Sequence, residues 1–190
     1  NSSPQHAHPR GHQATDAARR RAALATLSFR RGGEEVSSER GPVSRPMVVH
    51  SETLRIATKK GPQALDITRP VTEAVSKSRV RSGLACVFTP SSTSAILTNE
   101  FEPGLMEEDI PAALERLFPE GIGYGHERRW QDGNGHSHVR SAFLGPSLTV
   151  PVVEGRLALG TWQQVVFLEL DNKPRRREVI VQIVGDADNL

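Results

Sequence analysis

Three histidines and an aspartate lie close together in the chain: His126, Asp132, His136 and His138. If His136 and His138 lie in an extended segment, their side chains project to one face, where two imidazoles can bind one metal ion. We expect His126 to be the third ligand, and Asp132 to be a catalytic carboxylate or an oxygen ligand. The spacing predicts a divalent metal site, zinc rather than magnesium, with His138 also catalytic. Surface histidines are the alternative that this spacing leaves open.

Glycines flank a polar side chain inside the same segment. Gly133 and Gly135 enclose Asn134. Because glycine lacks a Cβ atom, the backbone can approach a ligand closely at such positions. We therefore expect Asn134 to hydrogen-bond a bound ligand.

A second segment carries hydroxyl groups after an apolar run. In residues 90–95, PSSTSA, the side chains of Ser92 and Thr93 and the backbone N–H groups could hold a phosphate group. An ordinary polar turn capped by serine and threonine is the alternative. The segment predicts a small phosphorylated metabolite as the partner.

Two further polar residues are candidates for the same chemistry. Glu100 follows the hydroxyl segment and could act as a general base, although an isolated glutamate is usually solvated. Gln163 begins an apolar run and could bind a ligand through its amide. A metal-free nucleophilic set is also formally present, without a nucleophile-elbow motif; it consists of Ser92, His138 and Asp132.

Hydrophobic periodicity predicts the elements that position these residues. Leu54 and Ile56 alternate with polar neighbours before an extended run at 64–67, as in a β-hairpin, and Thr68 then begins a helix that ends near Ser78. Further strands are predicted at 80–89, 148–152, 157–159, 162–170 and 179–184, a strand or a loop at 93–98, and a helix between 104 and 117. Early helices followed by a β-meander predict an α+β fold with a largely antiparallel sheet.

Charge and composition separate the chain into two parts. Residues 1–46 carry eight arginines and four acidic residues, which leaves a net charge of −2 for residues 47–190. We expect residues 1–46 to be a disordered or extraneous leader, with an Arg-rich transit peptide as the alternative, and 47–190 to be one domain. Because the basicity belongs to the leader and no apolar run reaches the length of a bilayer span, neither nucleic acid nor a membrane is expected as a partner.

The chain has one cysteine, Cys86, in the apolar run LACVF. A single cysteine forms no intramolecular disulfide, so a reducing compartment and a cytoplasmic location are expected. We expect this thiol to be buried and structural.

Three segments together resemble the YjbQ family. The run at 147–163, SLTVPVVEGRLALGTWQ, is similar to the signature of that family, and the run at 137–145, SHVRSAFLG, and the pair Tyr124 and His126 add to the match. The resemblance extends over Met47 to Gly185.

The resemblance implies a compact α+β, barrel-like domain that forms homotrimers, a histidine-containing cleft with His126 and His138 in it, and a secondary thiamine-phosphate synthase activity. One departure falls in this cleft: many relatives have a histidine where this chain has Ser92. The chain resembles instead a serine-containing branch with Glu100 followed by FEPGL and with the motif DGNGHSH at 132–138. We infer that His136 replaces the absent histidine as a ligand. A non-catalytic metal- or ligand-binding trimer is the alternative to an enzyme.

Overall fold

The structure is a computed structural model that describes residues 47–187; the predictions for residues 1–46 lie outside this range. The strands are β1 (Met47–Ala57), β2 (Gln63–Asp66), β3 (Val80–Phe88), β4 (Ser94–Asn99), β5 (Ser147–Val153), β6 (Arg156–Leu157), β7 (Gln164–Glu169) and β8 (Arg176–Ala187). The helices are α1 (Thr68–Ser78), α2 (Ile110–Leu117), α3 (Glu127–Trp130) and α4 (Gly135–Leu144), and a π-helical segment, Gly104–Asp109, leads into α2.

The strands form two antiparallel sheets. One sheet has five strands in the order β1-β8-β3-β5-β6, and the other has three in the order β2-β7-β4. One sheet is curled into a half-barrel, and the helices are few. The predicted α+β class with a largely antiparallel, barrel-like sheet is confirmed.

The main core lies between the inner face of the five-stranded sheet and α1. Alternation along β8 directs Val179, Val181 and Ile183 inward, while Val71 and Val75 of α1 are fully buried beside them. Burying each such aliphatic side chain contributes about 1.5–3 kcal/mol. The prediction of a helix from Thr68 to Ser78 is confirmed.

The predicted hairpin between residues 54–56 and 64–67 is wrong. β1 pairs along its whole length with β8, and β2 pairs with β7 in the other sheet. The turn at Lys60 to Pro62 therefore carries the chain from one sheet to the other. Alternating polarity identifies a strand and its buried face, but it does not identify the partner strand.

A smaller core lies over the three-stranded sheet, where Ala95, Leu168 and Leu170 pack with Leu114 of α2. The predicted helix in 104–117 is confirmed. In residues 47–187 no helix is both long and apolar enough to cross a membrane. The prediction of a buried Cys86 is wrong: the thiol is half-buried, because Ala85 and Val87 take the inward positions of β3.

Candidate functional site

Two serines fix helix α4 on the three-stranded sheet. Ser137 Oγ donates a hydrogen bond of 2.6 Å to the Leu170 carbonyl oxygen, and Ser141 Oγ donates one of 2.7 Å to the Ser94 carbonyl oxygen. Residues four apart share a helix face, so both hydroxyls meet the strand backbone together. This contact sets the rotation of α4 and the direction of its histidines.

The prediction that His136 and His138 lie in an extended segment and share a face is wrong. Both belong to α4, where two residues differ by about 200° around the axis. His136 is buried at 3% exposure, with Ser137 Oγ 3.2 Å from its Nε2 atom. Burial and the nearby positive charge of Arg140 lower the pKa of His136. His136 is therefore a neutral interior residue that faces away from His138.

His138 instead faces His126, and we call His126, Asp132 and His138 the histidine cluster. The two imidazole rings lie 4.5 Å apart between centroids with 40° between their planes. His126 Nε2 lies 3.3 Å from Asp132 Oδ1, at ion-pair distance. That nitrogen is buried, yet the described residues offer it no well-aligned hydrogen-bond partner. An imidazole nitrogen of this kind is available to a ligand or a proton.

The electrostatics of the histidine cluster favour a neutral His138 and a charged Asp132. Burial, together with the neighbouring His126, lowers the pKa of His138, although Asp132, Asp171 and the Ser92 backbone oppose the change. Loss of solvent raises the pKa of Asp132, but the Asn134 amide and His126 outweigh it, so this pKa lies below its ordinary value. A neutral imidazole beside a carboxylate can accept a proton or coordinate a metal ion.

The predicted three-histidine ligand set does not form. Within residues 47–187, no three side chains of His, Cys, Asp or Glu are arranged to hold a metal ion. The helical geometry explains this, because it directs His136 away from His126 and His138. Two imidazoles and one carboxylate remain in the cluster, and nitrogen and oxygen donors of these types suit zinc better than magnesium.

The two glycines of the motif bring the backbone close to a side chain that the sequence analysis missed. The Glu127 carboxylate accepts hydrogen bonds from the Gly133 N–H at 2.7 Å and the Gly135 N–H at 2.6 Å. A Cβ atom on Gly135 would lie 2.6 Å from Tyr124 Cβ and 2.8 Å from Glu127 Oε1. The glycines therefore allow Glu127 to bind the first turn of α4, where a carboxylate suits the helix dipole.

A second group of charged residues, Glu169, Asp171 and Arg177, lies beside the cluster; we call it the arginine network. Glu169 is completely buried and pairs with Arg177 through two bonds, Nε to Oε2 at 2.7 Å and Nη2 to Oε1 at 2.6 Å. Burial raises the pKa of Asp171, but Arg175 and Thr93 outweigh it, and this pKa is lowered. A charged residue inside an apolar strand was the available signal for Glu169.

The arginine network occupies two of the predicted ligand-binding residues. Thr93 Oγ1 donates to Asp171 at 2.9 Å and accepts from Arg177 at 2.8 Å. Asn134 donates to Asp171 at 3.3 Å and accepts from the Asn172 N–H at 3.2 Å. Ser92 is exposed, and its backbone lies beside His138. The structure thus brings Ser92, Thr93 and Asn134 near the cluster, but Thr93 and Asn134 already have partners in the chain.

Glu100 and Gln163 lie elsewhere, at the opposite end of the three-stranded sheet. Thr93 precedes β4 and Glu100 follows it, so about 20 Å of strand separates them. Gln163 precedes β7 and accepts a hydrogen bond from the Gly160 N–H at 2.8 Å. Glu100 is exposed. In this chain neither residue joins the histidine cluster.

The sequence profile of the family described as UPF0047 protein YjbQ-like matches residues 52–186. This chain belongs to the YjbQ-like family. The predicted resemblance is thereby confirmed. A UPF0047 protein of Archaeoglobus fulgidus is 46% identical over 129 residues, which cover 68% of this chain and 97% of that protein. The UPF0047 protein YugU of Bacillus subtilis is 36% identical over 135 residues, with 70% and 98% coverage.

Solved structures of proteins with similar sequences have the same fold. A YbjQ-like protein of unknown function from Sulfolobus solfataricus is 35% identical and superposes with a TM-score of 0.71, covering 74% of this chain and all of that chain. A hypothetical protein of Aeropyrum pernix is 39% identical with a TM-score of 0.64, covering 71% and 99%. The family profile, at residues 52–186, covers both the histidine cluster and the arginine network.

Proposed function

We propose that this chain is an enzyme that acts on a small phosphorylated metabolite at the histidine cluster. The observation that carries the proposal is the buried His126 Nε2 atom, which has no aligned hydrogen-bond partner in the described residues and lies beside Asp132 and the ring of His138. A buried polar atom without a partner costs free energy, which a bound ligand would recover. We place the activity in the cytoplasm, because the chain has a single cysteine.

The residues of the cluster have separate roles in this proposal. His126 accepts the proton of the reacting group, and the Asp132 carboxylate stabilises the imidazolium that forms. His138, with its lowered pKa, remains neutral at pH 7 and binds the substrate or a metal ion. The Ser92 backbone helps to orient the His138 ring.

We further propose that the reaction is metal-assisted. In this form of the reaction the imidazoles of His126 and His138 would be the protein donors for a zinc ion, in place of His126 acting as a base, and Asp132 would hydrogen-bond His126. Substrate and water would complete the coordination, because the described residues arrange fewer than three donors around one point. The ion would polarise a phosphate group or activate water. Thiamine-phosphate synthesis, as a secondary activity, is the first reaction to assay, since the family resemblance implies it.

Metal analysis and turnover with the full chain test this proposal. His126→Gln and His138→Gln should each remove about one zinc ion per chain and abolish turnover of phosphorylated substrates. His50→Gln is the control, because His50 lies on β1 and pairs with Glu52 at 3.2 Å. Turnover by metal-free protein would refute the metal-assisted reaction and leave acid–base catalysis by His126. Unchanged turnover in both cluster variants would refute the assignment of the site.

A non-catalytic trimer that binds a metal or a ligand is the second candidate. The outer face of the five-stranded sheet favours it, because Val49 is 65% exposed and Leu84 is 52% exposed. Both pair with Val184, so they form one apolar row across three strands. Contiguous exposed apolar surface is typical of protein interfaces.

The molar mass of the protein in solution tests the assembly proposal separately from the catalytic one. By sedimentation equilibrium we expect a homotrimer of the wild-type chain and a monomer for Leu84→Asp. Ala112→Asp is the control, since it introduces the same charge at an exposed position of α2. A monomeric wild-type chain would contradict the assembly proposal and leave the catalytic one standing. A trimer that retains phosphorylated compounds unchanged would favour the second candidate.

A further inference from the structure

A cavity of about 650 Å³ lies between the end of β1, the segment at Pro90–Ser91 and the start of β8. Its polar lining comes from three guanidinium groups, one hydroxyl and one carboxylate, which belong to Arg55, Arg176, Arg177, Ser91 and Glu178. We call it the arginine cavity. The excess of hydrogen-bond donors over acceptors in this lining suits an anion.

The cavity contains a fixed donor from Arg177. The buried carboxylate of Glu169 binds the Nε and Nη2 atoms of Arg177, which holds the guanidinium in one orientation. Nη1 donates one hydrogen bond, at 2.9 Å, to Ser91 Oγ. Because Nη1 carries two hydrogens, one N–H has no acceptor in residues 47–187. This donor is oriented before any ligand arrives.

Ser91 supplies a second donor. Its Oγ atom accepts hydrogen bonds from Arg177 Nη1 at 2.9 Å and from the Thr93 N–H at 3.1 Å. These two bonds use both lone pairs of the hydroxyl oxygen. The O–H hydrogen of Ser91 must therefore point to a third group, and none of the described residues accepts it.

The net charge at the rim of the cavity is positive. Arg176 is exposed, and no described residue forms an ion pair or hydrogen bond with its guanidinium. Glu178, the acidic residue of the lining, pairs with Arg55 at 3.4 Å. Arg176 therefore carries the uncompensated positive charge, and its guanidinium can bind an anion through two hydrogen bonds.

We propose that the arginine cavity binds the phosphate group of the substrate, between Arg176, Arg177 Nη1 and the Ser91 hydroxyl. The three donors can each bind one oxygen of a tetrahedral phosphate group, whereas a carboxylate has only two oxygens. The inference rests on the proposed function and gives the phosphate a different position from the predicted one, because Thr93 Oγ1 is already bound to Asp171 and Arg177.

The position of Ser91 connects the cavity to the histidine cluster. Ser91 lines the cavity, and the backbone of the next residue, Ser92, lies beside the His138 ring. In this proposal the phosphate therefore lies at Ser91, and the reacting part of the ligand lies beyond Ser92, at the imidazoles. The cavity binds and orients the substrate, and the cluster carries out the reaction.

Calorimetric titration of the full chain with inorganic phosphate tests the cavity. We expect Arg176→Gln to weaken binding about tenfold or more and Ser91→Ala to weaken it about threefold. Arg156→Gln is the matched control and should stay within about twofold, since Arg156 is also exposed and has no described partner. Zinc content should not change in Arg176→Gln.

Three results would overturn the phosphate assignment. They are a wild-type chain that does not bind phosphate, an equal loss in Arg156→Gln and Arg176→Gln, and acetate competing as well as phosphate. His138→Gln separates this inference from the proposed function, because it should retain phosphate binding while turnover is lost. If phosphate binding depends on Arg176 but both histidine variants keep full turnover, the cavity stands and the proposed catalytic site fails.

Discussion

The arginine network and the histidine cluster differ in how completely the chain satisfies their polar atoms. Glu169, with no exposed surface, receives hydrogen bonds from Arg177, from the Thr58 hydroxyl and from two backbone N–H groups. In the cluster, a buried nitrogen of His126 lacks an aligned partner among the described residues.

We infer from this difference that the arginine network positions groups and that the histidine cluster carries out the reaction. In the network the carboxylates are saturated by partners from the chain and hold Arg177 in one orientation, and removal of one member leaves a buried charge without compensation. An open cluster contributes little to folding but can exchange protons or ligands. Changes in the network should therefore lower stability, and changes in the cluster should lower activity.

The largest expected effect comes from breaking the network. Glu169→Gln leaves the half-buried Arg177 guanidinium without its strongest partner and should lower the free energy of unfolding by about 3 kcal/mol. Urea denaturation measures the change. Glu178→Gln is the control, because its pair with Arg55 is exposed and should contribute less than about 1 kcal/mol. Equal losses would show that removal of Glu169 leaves no buried charge without compensation.

A methyl group at Gly135 should disturb the contact between Glu127 and the first turn of α4, the helix that carries His138. Its Cβ atom would meet Tyr124 and Glu127, so we expect Gly135→Ala to cost about 1–3 kcal/mol of stability and to lower turnover. Gly123→Ala is the matched control, since nothing lies within 4 Å of its added Cβ. Wild-type stability and turnover in Gly135→Ala would contradict the role of Glu127 at α4.

Acid titration should locate the contribution of Asp171. Its pKa is lowered in the folded chain from the ordinary value of 3.8, so the unfolded chain binds more protons and stability falls as the pH falls through the folded pKa. One such group changes the unfolding free energy by at most about 1.4 kcal/mol per pH unit. The slope of unfolding free energy between pH 4 and 3 should be smaller in Asp171→Asn. An unchanged slope would show that the Asp171 carboxylate does not contribute to the loss of stability in acid.

The smallest effect on stability is expected in the cluster itself. His126→Gln removes a nitrogen that has no aligned partner in residues 47–187, so the free energy of unfolding should change by less than about 1 kcal/mol. Turnover, in contrast, should be lost. A loss of several kcal/mol in the urea midpoint analysis would instead make His126 part of the folding core.

Sequence patterns predicted the regular elements well where apolar side chains decide the structure. The second half of β3, from Leu84 to Phe88, and the strand that ends at Glu169 follow from continuous apolar runs, and Thr68 marks the start of α1. Helix α4 was missed because its docked face uses Ser137 and Ser141, which bind strand carbonyl groups instead of packing through apolar side chains. Hydrophobic periodicity cannot detect such a face.

The site residues, too, could be predicted where neighbours in the chain form the contact, but not where long-range polar contacts do. His126, Asp132 and His138 do lie together, because α3, the following turn and α4 bring them into contact. His136 was wrongly predicted to share a face with His138, because the segment was treated as extended and is a helix. Asp171 and Arg177 were missed because their partners, Thr93 and Asn134, come from distant parts of the chain, and local patterns do not identify long-range polar contacts.

The docking of α4 through its two serines also makes the helix a convenient frame for protein engineering. Ala142 is exposed and lies one helical turn after His138. Ala142→His would therefore create a chelating histidine pair with His138 and leave the serine contacts intact. Such a pair would give spectroscopists a rigid attachment point for a copper or cobalt probe beside His126.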